Sequence, residues 1–301
     1  MVAAFLTTIF FSLSAIFANR SIAVVGPVRA NLGRLFVALV LLAVYAHTTG
    51  GGLGGAGRDW FIFSGVVGMG LGDLASFAAL PLLGSRLTVL MVQCLAVPMA
   101  MVAEWFWLGT TLRPSQVGWS FVILAGVLVA LLPSRKNPPA VVVKRAGFVL
   151  GFLAACGQGL GAVISRKANA LTALAGEPID GITAAYQRIV GGFVLTLIYF
   201  AMRSLLAKKT DAAPPKPSAT PAWRGYLWIT VNALCGAVIG VSCYQWALAT
   251  TPSGIVLPIV ATTPLVIVPL SYWLEGKKPA GRSFIGGVIA VAGVIALTLV
   301  R

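Results

Sequence analysis

The chain has 301 residues, 58% of them apolar and 10% charged, with a mean hydropathy of +0.95. Soluble domains carry about a quarter charged residues, because their surface must be solvated, so a soluble globular protein is excluded. The balance of 22 Lys+Arg against 7 Asp+Glu, formally +15, would suit a nucleic-acid surface. Here, however, most basic residues fall in short breaks between long apolar runs, where anionic lipid headgroups account for them and no nucleic-acid partner is expected.

The apolar runs, in chain order, cover 2–18, 30–46, 60–83, 87–108, 114–132, 147–168, 183–205, 225–249, 254–274 and 282–300. A bilayer core about 30 Å thick takes roughly 20 residues of helix, and a lipid-exposed backbone must satisfy its own hydrogen bonds, so each run predicts one transmembrane helix. The first has no basic leader or clear cleavage site and reads as a retained helix. A glycine-rich hinge (TTGGGLGGAGRD) follows the second run, a basic link the fifth and a proline-lysine link the seventh. The expected organisation is a five-helix unit over 1–133, a linker over 134–146 and a second unit over 147–301.

The two units resemble each other. GMGLGDLASFAAL in the third run aligns with GAVIGVSCYQWAL in the eighth, matching Gly68 to Gly236, Gly72 to Gly240 and Ala79-Leu80 to Ala247-Leu248. Arg34 and Arg188 open corresponding helices, and ILAGVLVAL matches AVAGVIAL in the last helix of each half. An odd number of helices per copy makes the second copy enter the membrane from the opposite side. Such inverted repeats place a substrate site near the midplane between them and support alternating access. The expected fold class is therefore an all-α membrane protein of ten transmembrane helices in two inverted five-helix repeats.

Asp73 is the one carboxylate near the centre of a run, where a charge costs about 3 kcal/mol or more and is normally turned toward a wet interior. Ser76, Phe77 and Leu80 share its helical face. A substrate-amine or proton site and a structural hydrogen-bonded group weigh equally at this stage. Pro98 in the fourth run and Pro258, Pro264 and Pro269 in the ninth predict helix breaks, which in matching segments of two repeats point to a transporter site. Gln93, Thr262 and Thr263 flank them with hydrogen-bonding groups. Tyr244, Gln245 and Trp246 combine flat apolar faces with polar tips suited to an amphipathic solute, and Gln158 and Asn232 are weaker candidates. Arg34 with Glu275, and Arg188 with Glu104, would be two cross-repeat ion pairs gating the pathway in turn, against the alternative that both arginines snorkel to headgroups.

These features resemble the EamA type of the drug/metabolite transporter superfamily: two five-helix repeats, the paired arginines, the Ala-Leu pairs, prolines Pro98 and Pro264 in the fourth helices, and WLEGKKP after the ninth run. The first half departs at WLGTTLRP, where Gly109 stands in place of the glutamate. The resemblance implies a secondary transporter of small metabolites, with the ten-helix amino-acid exporters the most similar subgroup, in a bacterial inner membrane. A non-transporting scaffold or sensor, or a lipid flippase, is the alternative reading.

Cys94, Cys156, Cys235 and Cys243 lie inside apolar runs without CxxC spacing, so neither disulfide nor zinc is expected. His47 is the single histidine, which makes an enzyme improbable, and no P-loop is present for ATP. No cofactor is expected. The expected partners are a small-molecule substrate and membrane lipid, with the chain a monomer or weak homodimer. Loops after the odd-numbered runs hold fourteen Lys and Arg against five on the other face, which puts both termini outside the cytoplasm. The family resemblance implies the opposite orientation.

Overall fold

The computed structural model describes residues 1–132, 141–206, 221–275 and 281–300. Among the described residues, ten helices are long and apolar enough to span a bilayer. They are α1 (Val2–Val25), α2 (Pro27–Thr48), α3 (Arg58–Leu83), α4 (Ser85–Leu108), α5 (Pro114–Leu131), α6 (Arg145–Leu174), α7 (Gly181–Leu206), α8 (Trp223–Thr250), α9 in two pieces (Ser253–Val260 and Thr263–Glu275) and α10 (Gly281–Leu299). The described residues form no strand. The linker expected over 134–146 lies partly outside the described residues.

Two single-residue turns set the antiparallel order of the first half. Gly26 and Gly84 have φ of 82° and 79°, a region closed to most side chains, and each reverses the chain between consecutive helices. Pro27 then opens α2 at the position where a missing N–H costs nothing. Helices α1 and α6 run past the apolar segments that announced them. Arg20 extends α1 by lying over the rings of Phe17 and Trp228, at 5.8 and 5.0 Å.

The packing has pseudo-twofold symmetry: α1 lies on α8 as α6 lies on α3, while α2 faces α7 and α5 faces α10. Small residues set how closely backbones approach where no hydrophobic force acts between helices. A Cβ on Gly126 of α5 would come within 2.7 Å of the Gly286 oxygen of α10, and one on Gly157 of α6 within 2.6 Å of the Gly72 Cα of α3. Large exposed side chains such as Phe36, Val44, Phe63, Phe148 and Leu205 form the lipid-facing surface. The glycine-rich hinge is docked against α7, where Gln187 Nε2 donates to the carbonyls of Gly52 and Gly54 at 3.0 and 2.9 Å.

Both third helices of the repeats leave regular α geometry at the same register. α3 is π-helical over Val66–Gly72 and α8 over Ala233–Gly240. The proline pattern is less symmetric. α9 breaks at Ala261-Thr262, two residues ahead of Pro264, which has no N–H to donate to the Val260 carbonyl and whose ring clashes with it. α4, by contrast, is continuous through Pro98, and Pro258 and Pro269 lie inside unbroken helical pieces. The expected break at Pro98 is thus corrected. Close support from α6 holds the helix there: a Cβ on Gly159 would stand 2.7 Å from the Ala96 oxygen.

The helix ends define two faces. One, here the terminal face, carries Met1 and the connections before α3, α5, α7 and α9; the other, the basic face, carries the turns at Gly26 and Gly84.

Candidate functional site

Between the repeats lies a cavity of about 340 Å³. Its walls come from Phe11, Ser14, Ala15 and Ala18 of α1, Arg34 of α2, Met69 and Asp73 of α3, Gln93 of α4, Gln158 of α6, Arg188 of α7, Tyr244 of α8 and Leu257 and Val260 of α9, among others. Ala18, Val89 and Arg34 lie about two turns or less from the basic-face ends of their helices, while Arg188 and Tyr244 approach the terminal face. The chamber therefore spans the midplane, and its lining comes within about two turns of the helix ends on either face.

Asp73 does face this chamber, but paired. Its Oδ2 accepts a hydrogen bond from Arg34 Nη2 at 3.0 Å, and the same nitrogen donates to Asn31 Oδ1 at 2.8 Å. The two side chains remain 20% and 18% accessible, so the pair sits in the wall of a wet cavity and not in sealed core. α2 and α3 bring Asp73 within reach of Arg34; the pairing expected between Arg34 and Glu275 falls on a side chain outside the described residues.

Arg188 is 2% exposed. Its Nη1 donates to Ser165 Oγ at 3.2 Å, its guanidinium lies 5.5 Å from the Tyr244 ring centroid, and its Nε has no hydrogen-bond partner. Space for the head group exists because residue 68 is glycine: a Cβ there would stand 2.7 Å from Arg188 Nη2. The Arg188–Glu104 pair expected from sequence is not formed. Glu104 instead accepts from Arg166 Nε at 3.1 Å, from the Ser253 backbone N–H at 2.7 Å and from the Ser253 hydroxyl. Arg166 Nη1 also donates to the Leu248 carbonyl at 2.7 Å. α6 packs directly on α4, which puts Arg166 ahead of Arg188 in reaching Glu104. The resulting latch joins the terminal-face portions of α4, α6, α8 and α9.

Gln93, Gln158 and Tyr244 line the cavity with Asp73. Ser76 and Phe77 are half-buried and lie outside its wall. Thr262 and Thr263 mend the α9 break instead of facing the chamber: their hydroxyls donate to the carbonyls of Ile259 and Val260, both at 2.6 Å. Thr8 and Ser12 of α1 cover the same break from the side, donating to Ile259 and Thr263 carbonyls at 3.2 and 3.0 Å. Gln245 is fully buried behind the cavity wall, and neither of its amide atoms has a partner. Trp246 is 51% exposed and lines a separate surface groove with Tyr45 and Asp180. Asn232 lies outside the cavity wall, its Oδ1 accepting from Ser14 at 2.6 Å.

Sequence reasoning missed Arg166, because its apolar run ended close by and SRKAN read as a loop boundary. The apolar wall residues Phe11, Met69, Leu257 and Val260 carried no distinguishing signal. No group of metal-ligating side chains occurs among the described residues.

A family model described as the EamA-like transporter family matches residues 1–132 and 145–299. A protein known from a crystal structure superposes over 99% of this chain and 96% of its own with a TM-score of 0.76 at 15% sequence identity, which is a likeness of fold. No significant match was found among curated proteins.

Proposed function

The chain belongs to the EamA-like transporter family, and from that premise we propose that it is a secondary transporter exporting small metabolites, amino acids foremost, across a bacterial inner membrane. The supporting observation is the charged chamber between the repeats: membrane interiors hold ionisable side chains where a pathway needs them, and inverted repeats locate that need at the midplane. A scaffold has no use for Asp73, Arg34 and Arg188 around a space of about 340 Å³, and a chamber enclosed by eight helices is not the lipid-open groove a flippase requires.

Alternating access assigns each charged cluster a task. The Glu104–Arg166–Ser253 latch ties α4, α6 and α9 together at the terminal face, and a state open to that face requires the latch to part. Asp73 is the coupling carboxylate: a proton or a substrate ammonium competes with Arg34 for it, which links occupancy to the position of α2 against α3. The chain works as a monomer or weak homodimer, with a small solute and lipid as its partners.

Counterflow in proteoliposomes with a panel of labelled amino acids, repeated with Asp73→Asn, tests this. The expected result is exchange of at least one amino acid, reduced at least about tenfold in the variant, the size of losing a hydrogen bond to a charged group. Undiminished exchange in Asp73→Asn would remove that residue from the mechanism; silence across the panel would remove the substrate class.

A further inference from the structure

We infer that the transported solute carries a net negative charge and that its acceptor oxygens, those of a carboxylate, bind Arg188. This rests on the transport reading and narrows it to small organic anions, among amino acids those with an acidic side chain.

Charge arithmetic inside the chamber is the first ground. Its wall holds the guanidinium groups of Arg34 and Arg188 and the carboxylate of Asp73, a formal +1. Asp73 is committed to Arg34 at 3.0 Å. The other nearby carboxylate, Glu104, is matched by Arg166 at 3.1 Å. Arg188 is left with a neutral hydroxyl and an aromatic ring at 2% exposure. A cation that deep, sharing at a distance the one carboxylate that bonds Arg34, is costly, and a further anionic partner is what the site requires.

The second ground is the direction of the unused hydrogen bonds. Among the buried side-chain atoms without a partner, those on cavity-lining residues are Arg34 Nε and Arg188 Nε. Both are donors. These buried spare donors and the net positive charge of the wall favour a ligand rich in acceptors, and the planar guanidinium fork suits a carboxylate oxygen pair. The Tyr244 ring on one side of Arg188 and the absence of a side chain at Gly68 on the other fix the fork in place while leaving it an approach from the chamber. A solute of net positive charge entering the same space meets +1 and must compete with Arg34 for the one carboxylate.

The test uses purified full-length protein in proteoliposomes, with labelled glutamate, glutamine and lysine as probes of similar size that differ in charge. Wild type is expected to exchange glutamate at least about tenfold faster than glutamine, with lysine slowest. Arg188→Gln is expected to abolish the preference by slowing glutamate at least about tenfold, and Arg188→Lys, which keeps the charge without the fork, to keep part of it. Thermal stabilisation of the detergent-solubilised protein by glutamate against glutamine gives a second readout that needs neither transport nor a folded variant. Exchange of glutamine or lysine at or above the rate of glutamate overturns the inference and leaves the transport reading standing. Silent exchange with selective stabilisation by glutamate sinks transport and keeps the anion site. Neither exchange nor selective stabilisation overturns both.

Discussion

The Glu104 latch makes a prediction whose size follows from its bonds. Its carboxylate is 3% exposed and accepts three hydrogen bonds, one from Arg166 and two from Ser253. Glu104→Gln keeps the shape and removes the charge. Hydrogen bonds to ionised groups contribute about 1.5 to 3 kcal/mol each against about 0.5 to 1.5 for neutral ones, so three weakened bonds amount to about 3 kcal/mol if the carboxylate is fully hydrated in the other state. Partial hydration there reduces this to about 1.4 to 3 kcal/mol, or about 10- to 150-fold in the equilibrium between terminal-face-closed and terminal-face-open states. The assay replaces Cys94, Cys156, Cys235 and Cys243 and introduces Ala15→Cys in the cavity wall, then measures its reaction with a membrane-impermeant maleimide from each side of oriented vesicles. Labelling from the terminal face should rise at least about tenfold when Glu104→Gln is added. A rise below twofold in protein that still elutes as a single species would refute the latch.

Two further outcomes test the packing. Gly157→Ala should destabilise by about 1 to 3 kcal/mol, because its Cβ would lie 2.6 Å from the Gly72 Cα, whereas Gly118→Ala, with nothing within 4 Å, should leave thermal unfolding unchanged or slightly improved. The Ser12→Ala and Thr263→Val double variant removes two of the hydroxyls that mend the α9 break, and should lower stability by about 1 to 3 kcal/mol in reversible denaturant unfolding while leaving Arg188-dependent anion binding in place.

The helix boundaries were legible because membrane insertion is decided locally: some twenty consecutive apolar residues suffice, whatever the rest of the chain does. The repeat was legible because its signature glycines recur at one offset and an arginine opens the second helix of each half. Asp73 was singled out by the cost of charge in lipid, Arg34 and Arg188 by their matching places in the two halves, and all three line one chamber. Their partners were not legible. Which carboxylate meets which guanidinium depends on helix contacts: α6 on α4 gives Glu104 to Arg166, and α2 beside α3 gives Asp73 to Arg34. Thr262 and Thr263 misled because a hydroxyl beside a proline break has two uses, binding a ligand or closing the backbone, and only the neighbouring carbonyls decide between them.

The π-helical segments at Val66–Gly72 and Ala233–Gly240 act as phase shifters. Each accommodates a surplus residue, and one residue of regular helix corresponds to about 100° of rotation. Everything downstream in α3 and α8 is therefore turned relative to the stretch that enters the membrane; Asp73 follows the first twist directly and Tyr244 comes one turn after the second. Winding all seven residues of Val66–Gly72 as ordinary α-helix would swing the carboxylate about 100° around the helix axis and away from the guanidinium of Arg34, whereas deleting one of them would return it close to its present bearing.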